Sequence, residues 1–203
     1  MEIGGYFGLG FDKKYEQHKN CLKLNTGRNC FEYVLRARNV KKIYLPYYVC
    51  NQLLEPLIRL GIDFEFYSID EKLDPMVKVT AQKDEAILFV NYFGLKQLSL
   101  KKLTKVHSRL IVDNTQAFFS KPFEGYDTFY SARKFFGVPD GAYLFTDTKL
   151  GLPLVRAISY QRMLHLLKRT DCGAQFGYDD FLANEKELED APIELMSNLT
   201  ESL

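Results

Sequence analysis

The chain has 203 residues, of which 46% are hydrophobic and 26% are charged. That length suits a little more than one average domain, and the composition excludes both a disordered tail and a membrane protein. Lys and Arg number 27 against 26 Asp and Glu, which gives a net charge of +1. A nearly neutral chain has no general electrostatic attraction for nucleic acid or anionic lipid, so we expect neither as a partner.

Cysteine and histidine are too scattered in this sequence to suggest a metal centre. The chain contains four cysteines and three histidines: Cys21, Cys30, Cys50, Cys172, His18, His107 and His165. No C-x-x-C pair occurs, and no two histidines have the spacing of ligands on one helix, so we expect reduced thiols and no metal. The chain opens without the basic and apolar regions of a signal peptide. No apolar run reaches about 18 residues, so a cytoplasmic location is expected.

Strand and helix patterns alternate along the chain from Lys41 onward. Short apolar or alternating segments predict strands, and apolar residues at helical spacing predict helices. The predicted strands are 41–45, 62–69, 85–92, 110–112, 127–130 and 142–146, and the predicted helices are 30–38, 50–60 and 98–106. This order predicts an α/β fold, a three-layer α/β/α domain with a mostly parallel sheet.

The last quarter of the chain has apolar residues at helical spacing. The segment after Leu152 predicts one long helix that ends near Lys168, with Gly173 as its stop, and a second helix that ends near Asp190. A third, amphipathic helix is predicted at the end, and its apolar face needs a partner, either another chain or a further domain. The apolar positions of this last helix are Leu195, Leu199 and Leu203.

Polar residues follow the predicted buried strands at the points where ligands bind to parallel sheets. Residues 113–116, Asp-Asn-Thr-Gln, follow the strand 110–112, and residues 131–134, Ser-Ala-Arg-Lys, follow the next strand. Residues 25–29, Asn-Thr-Gly-Arg-Asn, precede a predicted helix, where free backbone N–H groups favour a phosphate. The three segments therefore supply a carboxylate, a lysine beside a serine, and an anion site.

A phosphate site, a carboxylate and a lysine are the parts that pyridoxal phosphate chemistry requires. The lysine amine forms a Schiff base with the aldehyde, and the carboxylate keeps the pyridine nitrogen protonated. Each part alone has an ordinary alternative. Asp113 suits a turn or a helix cap, Lys134 suits an exposed surface, and residues 27–29 suit a plain helix start. Their order along the chain is what favours the cofactor.

The same segments resemble the DegT/DnrJ/StrS-type sugar aminotransferases, which are fold-type I pyridoxal phosphate enzymes. The resemblance covers nearly the whole chain but stops short of the small C-terminal domain of those enzymes. It rests on five segments in order: 24–30 (LNTGRNC), 43–48 (IYLPYY), 86–94 ending in VNYFG, 112–117 (VDNTQA), and Lys134 followed by 141–144 (GAYL). The last two are the most specific.

The resemblance implies a role for each matching residue. Lys134 would form the Schiff base, Asp113 would pair with the pyridinium nitrogen, and Gln116 would lie near the phenolic oxygen of the cofactor. Tyr48 would stack on the ring, with Tyr47 as the alternative. The remaining cofactor-binding residues would be Gly27, Arg28, Asn29, Asn91 and Ser131. This chain departs from the family's pattern at several positions: Arg28 in place of the loop threonine, Cys50 near the usual stacking aromatic, Asn91 in place of a histidine, and Phe129 at the usual serine position.

The resemblance also implies a domain plan and an activity. Residues 1–24 are expected to form an N-terminal arm, 25–190 the cofactor-binding large domain, and 191–203 the start of a truncated or absent small domain. The glycine-rich residues 4–10 lack the preceding strand of a dinucleotide loop, so they are assigned to the arm. The implied enzyme is a homodimer that transfers an amino group from glutamate to a keto sugar nucleotide, as in surface-polysaccharide biosynthesis.

Two other interpretations remain open at this point. In the first, the chain keeps the fold as a non-catalytic dimerisation or interaction module, without turnover. Alternatively, Ser131-x-x-Lys134 matches the acyl-transfer motif of penicillin-recognising enzymes. The second alternative is weak, because neither Ser-Asp-Asn nor Lys-Thr-Gly, the partner motifs of those enzymes, occurs in the chain.

Overall fold

The structure, a computed structural model, describes Gly10 and residues 15–203, so most of the glycine-rich opening lies outside the described residues. The described part contains one seven-stranded sheet in the order β1-β7-β6-β5-β4-β2-β3. The strands are β1 (Leu22–Leu24), β2 (Lys42–Pro46), β3 (Asp63–Tyr67), β4 (Glu85–Val90), β5 (Leu110–Asp113), β6 (Asp127–Ser131) and β7 (Ala142–Phe145). The helices are α1 (Gly27–Ala37), α2 (Leu54–Leu60), α3 (Gln97–Leu103), α4 (Leu164–Cys172), α5 (Tyr178–Glu189) and α6 (Asn198–Ser202).

The sheet is mostly parallel, which confirms the predicted α/β fold class. Strands β2 to β6 run parallel to one another, whereas β7 is antiparallel to β6 and β1 is antiparallel to β7. Strand β1 therefore runs in the same direction as β6. As a result, α1, which follows β1, begins at the same edge of the sheet where the parallel strands end.

Helices cover both faces of the sheet, which explains why the central strands are continuously apolar. Successive residues of a strand point to opposite faces. In β4, Leu88 and Val90 join the core that contains α1 and α2, whereas Ile87 and Phe89 join the core that contains α3. A strand buried on both faces has no polar positions, so the run AILFV is the expected signature of a central parallel strand.

The predicted long helix after Leu152 is wrong in its first half. Helix α4 begins only at Leu164, after a 3-10 turn at Tyr160–Met163, and it continues to Cys172 before Gly173. The preceding segment is extended, and the Ala157 N–H donates to the Leu195 carbonyl oxygen at 2.9 Å. Leu154 packs against the main core from this extended segment, so its apolar character reflects core contact and not helical periodicity.

The predicted amphipathic helix at the end of the chain is also wrong. Helix α6 spans only Asn198–Ser202, and Leu195 lies in β-bridges to Leu24 and Arg156. The residues that the fold buries here are mostly polar, Ser197 and Thr200 together with Met196. They pack onto the same chain because Asp140, which is fully buried, accepts a hydrogen bond from the Ser197 hydroxyl at 2.8 Å. The apolar spacing gave no sign of this polar contact.

None of the helices in the described part of the chain combines the length and the apolar character needed to cross a bilayer.

Candidate active site

Three of the segments singled out in the sequence meet at the carboxyl edge of the sheet. They meet around Thr115, which follows β5. The Lys134 Nζ, after β6, donates to the Thr115 Oγ1 at 3.2 Å. On the opposite side, a Cβ placed on Gly27, the first residue of α1, would lie 3.3 Å from Thr115 Cγ2 and 3.9 Å from Ser131 Cβ. Gly27, Thr115, Ser131 and Lys134 therefore form one group at the mouth of the strands.

Asp113 supplies the carboxylate of this group and is buried. It is the last residue of β5 and is only 5% exposed. Its Oδ1 accepts the Thr115 N–H at 2.7 Å. Burial raises the pKa of Asp113, and the hydrogen bonds from Thr115 and the charge of Lys134 oppose that rise. A buried carboxylate in this setting gains from any cationic donor that reaches it.

The start of α1 forms the anion-binding part of the group. Thr26 caps the helix by accepting the Asn29 N–H on its Oγ1 at 3.0 Å. The Cys30 N–H is used within the helix, where it donates to the Thr26 carbonyl. This cap leaves the N–H groups of Gly27 and Arg28 at the positive end of the helix dipole. Such groups bind phosphate and carboxylate ions.

Lys134 and Ser131 occupy the turn that leaves the sheet after β6. Lys134 ends the 3-10 turn Ala132–Lys134 and is exposed. Ser131 precedes this turn without capping it through its side chain, and it lies half-buried beside Gly27. A serine hydroxyl and two backbone N–H groups are thereby brought to one place.

Tyr48 lies at the same edge and stacks on Tyr92. The two ring centroids are 5.5 Å apart at an interplanar angle of 24°, and the Tyr92 hydroxyl donates to the Tyr48 carbonyl at 2.6 Å. Burial raises the pKa of Tyr92, and the negative charge of Asp113 raises it further. Tyr47 instead stacks on Phe66 of β3, at 5.1 Å. Tyr48 thus contacts the segment that follows β4, whereas Tyr47 contacts β3.

The side chains of Arg28 and Asn29 point away from the predicted phosphate site. The Arg28 guanidinium pairs with Glu55 at 2.6 Å and donates to the Leu188 carbonyl at 3.0 Å. The Asn29 amide donates to the Pro192 carbonyl at 2.7 Å. For Arg28 only the backbone N–H remains for an anion, and Asn29 contributes to the helix cap. The expected cofactor contact by Asn29 is therefore not supported.

Asn91 and Gln116 hold the loops around the site. The Asn91 Nδ2 donates to the Asn114 Oδ1 at 3.0 Å, and the Asn91 Oδ1 accepts the Lys96 N–H at 3.0 Å. Both ends of the Asn91 amide are therefore used, so the expected cofactor contact by its side chain is not supported. The Gln116 Oε1 accepts the Phe93 N–H at 3.3 Å. Gln116 is half-buried and adjoins Thr115, so its amide nitrogen can face the site.

The sequence analysis missed two residues of the site, Thr115 and Tyr92. Thr115 lies two residues after the end of β5 and Tyr92 lies two residues after the end of β4, so the rule that ligands bind at strand ends was sufficient to mark them. Within the described residues, no group of three or more His, Cys, Asp or Glu side chains is placed to hold a metal ion.

Comparisons with known proteins identify the fold. No family model matches the sequence. The search of curated proteins also gives no match. Several solved structures match with a TM-score of 0.51, and two of them are the following. One is the aminotransferase TlmJ from Streptoalloteichus hindustanus, with 16% identity over 63% of this chain and 40% of that one. The other is the L-threonine-O-3-phosphate decarboxylase from Porphyromonas gingivalis, with 14% identity over 63% of this chain and 44% of that one.

A DegT/DnrJ/EryC1/StrS aminotransferase from Brucella abortus also matches, with 17% identity, a TM-score of 0.46, and coverage of 63% of this chain and 41% of that chain. The matched part is thus less than half the length of each of the three structures. At such low identity the likeness shows the fold alone, and an aminotransferase and a decarboxylase share it. The chain shares the α/β fold of the matched part of these enzymes, which is the fold class that the sequence predicts.

Proposed function

We propose that this chain is the cofactor-binding domain of a pyridoxal phosphate-dependent aminotransferase. The observation that carries the proposal is the convergence of Lys134 and Asp113 on Thr115, directly beside the first residue of α1. When bound, the cofactor supplies an aldehyde that takes up an amino group and a ring that delocalises negative charge.

The residues at the strand ends fit this cofactor in their chemistry. A pyridinium nitrogen is the kind of cationic donor that a buried carboxylate such as Asp113 requires. The N–H groups of Gly27 and Arg28, with the Ser131 hydroxyl nearby, suit a phosphate. Tyr48 is 59% exposed and offers an aromatic face for a ring. Each part of the cofactor therefore has a matching group.

Lys134 would have two tasks in the reaction. Its exposed Nζ, oriented by the Thr115 hydroxyl, is accessible for the covalent attachment of an aldehyde. Later, the free Lys134 amine would act as the base that takes the proton from the substrate carbon bearing the amino group. Thr115 serves both tasks because it accepts from Nζ without neutralising or occupying the amine lone pair.

The finer parts of the proposal rest on the motif resemblance. They are glutamate as amino donor, a keto sugar nucleotide as acceptor, a role in surface-polysaccharide biosynthesis, and a homodimer as the working assembly.

The alternative is a non-catalytic interaction module with the same fold. Three exposed phenylalanines near Gln116 favour it, because clustered apolar surface marks interaction sites: Phe93, Phe119 and Phe135.

The donor half of the reaction separates these candidates. The protein loaded with pyridoxal phosphate is incubated with glutamate and without acceptor, and 2-oxoglutarate is measured. We expect one equivalent of 2-oxoglutarate for each bound cofactor, abolished in Lys134→Ala and retained in Lys149→Ala. Lys149 is a matched control because it is exposed in the loop after β7. A protein that binds the cofactor but forms no 2-oxoglutarate contradicts the aminotransferase assignment and favours the module.

A further inference from the structure

We propose that an open cavity beside Lys134 binds the carboxylate of a substrate that carries this group on a flat, ring-shaped apolar body. The proposal rests on the proposed function, and it gives the acceptor as a cyclic carboxylic acid in place of the keto sugar nucleotide that the motif resemblance implies. The cavity lies between the loop 133–138 and the helices α4 and α5, and its volume is about 450 Å³. That volume is typical of sites for small organic molecules.

The charge of the cavity walls favours an anion. Among the described residues, no Asp or Glu lines the cavity. Three of the described basic residues line it: Arg133, Lys134 and Arg169. Burial lowers the pKa of Arg133 to about 10, and the charges of Arg28 and Arg162 lower it further, whereas the charge of Asp140 opposes the shift. A lining with basic side chains and no acidic ones among the described residues attracts an anion and repels a further cation.

Only one of the positive charges that the described residues place in the cavity is free to meet a ligand, which favours a ligand with a single negative charge. Arg133 is already paired with Glu185 of α5. His165 lies one turn before Arg169 on α4, and burial lowers its pKa, so its ring is neutral near neutral pH. Lys134 is committed to the chemistry proposed above. Arg169, which is exposed in the last turn of α4, then provides the positive charge that a ligand would meet. A guanidinium matches a carboxylate with two parallel hydrogen bonds.

The remaining walls favour a flat ring. They are formed by aromatic side chains that stay partly exposed: Phe135, Phe136, Tyr178 and Phe181. The Tyr178 and Phe181 rings are stacked, with centroids 6.3 Å apart at 29°, and the His165 ring lies 5.8 Å from Phe181. Flat aromatic faces at these separations contact a planar ligand over a large area at little entropic cost.

Close backbone contacts hold the two walls in place. A Cβ on Gly177, just before α5, would overlap the His165 carbonyl oxygen, so α5 begins directly against α4. On the other side, a Cβ on Gly137 would lie 3.6 Å from Leu166 Cδ2, which brings the loop after Lys134 against α4. The cavity is thus formed by the folded chain itself, without a ligand.

A calorimetric titration of the cofactor-loaded protein tests the proposal. The probes are benzoate, its neutral analogue benzamide, and phenyl phosphate. We expect benzoate to bind about tenfold more tightly than benzamide, since a charge-assisted hydrogen bond has about that effect. Arg169→Gln should remove this difference by weakening benzoate alone. Arg109→Gln is the matched control, because Arg109 is exposed just before β5, away from this cavity.

Each of several results would overturn the proposal. Equal affinities for benzoate and benzamide, or an unchanged benzoate affinity in Arg169→Gln, would remove the role of the charge. Tighter binding of phenyl phosphate would assign the site to a phosphate, and displacement of the cofactor by benzoate would assign it to the cofactor. Circular dichroism of the variant confirms that it folds. Failure of the proposed function gives a different result. In that case no absorbance of bound cofactor is seen, but the cofactor-free protein still binds benzoate in the titration.

Discussion

Lys134 and Asp113 share Thr115 as a hydrogen-bonding partner. The Thr115 hydroxyl accepts from the Lys134 amine at 3.2 Å, and the Thr115 backbone N–H donates to the Asp113 carboxylate at 2.7 Å. The lysine and the carboxylate come from different strand ends, 21 residues apart in their numbering, and this threonine fixes their relative position. Because Thr115 orients both groups, loss of its hydroxyl should weaken cofactor binding and leave the fold unchanged.

Thr115→Val tests this role, because valine keeps the shape of the side chain and removes the hydroxyl. We expect the dissociation constant for pyridoxal phosphate to rise about fivefold, the effect of one lost hydrogen bond of about 1 kcal/mol. Absorbance titration measures it. Thr80→Val, at an exposed position in a loop, should leave the constant unchanged. Equal constants in the wild type and Thr115→Val would show that the threonine does not orient Lys134.

Asp113→Asn should stabilise the cofactor-free protein near neutral pH while weakening cofactor binding. Burial raises the pKa of Asp113 in the folded state, so folding favours the protonated form. The stability contributed by this group is therefore present below its ordinary pKa of 3.8 and is lost as the pH rises through the folded pKa. Asparagine, which carries no charge, avoids that loss. Thermal unfolding should show a higher melting temperature for the variant at neutral pH and no such gain under acidic conditions. A lower melting temperature at neutral pH contradicts this prediction.

Gly27→Ala should weaken the binding of the phosphate specifically. The added methyl group would lie 3.3 Å from Thr115 Cγ2, so α1 and the loop after β5 must separate slightly. Alanine is a good helix former at this first position, so stability should change little. We expect a larger loss of affinity for pyridoxal phosphate than for pyridoxal, which lacks the phosphate. Parallel absorbance titrations with the two compounds measure this. A matching loss for both compounds would place the phosphate elsewhere.

Gly141→Ala should destabilise the fold by about 1–3 kcal/mol. Gly141 has a φ of +116°, and its added Cβ would lie 2.8 Å from Thr200 Cγ2. The substitution therefore strains the backbone and pushes the segment 196–200 away from the buried Asp140. Urea unfolding gives the change in free energy. Gly151→Ala is the control, because no atom lies within 4 Å of its Cβ position and its φ is not positive. Equal stabilities of the two variants would show that this packing contributes nothing.

The sequence was sufficient to predict those parts of the fold whose signals are local. Strands β4 and β5 stand out because burial on both faces leaves only apolar residues. Helix α2 ends where predicted because Gly61 adopts a left-handed conformation, with a φ of 63°. The predicted start of α1 was three residues late, since Thr26 caps the helix from before Gly27.

The sequence did not indicate the contacts between segments that are far apart along the chain. Asn29 and Asn91 have polar side chains beside the site, but their amides bind the Pro192 carbonyl and the Asn114 side chain instead. The extended path before α4 depends on pairing with Leu195, 38 residues after Ala157 in the numbering. Local spacing carries no information on such partners, and residues 154–167 therefore read as one helix.

Trapping the cofactor on the protein tests the central claim most directly. The protein is mixed with pyridoxal phosphate, reduced with borohydride, digested, and analysed by mass spectrometry. The account predicts a stoichiometric adduct on Lys134 that is absent from Lys134→Ala and present in Lys149→Ala. An adduct on another lysine in the wild type, or the lack of any adduct, would contradict the assignment of Lys134 as the lysine that holds the cofactor.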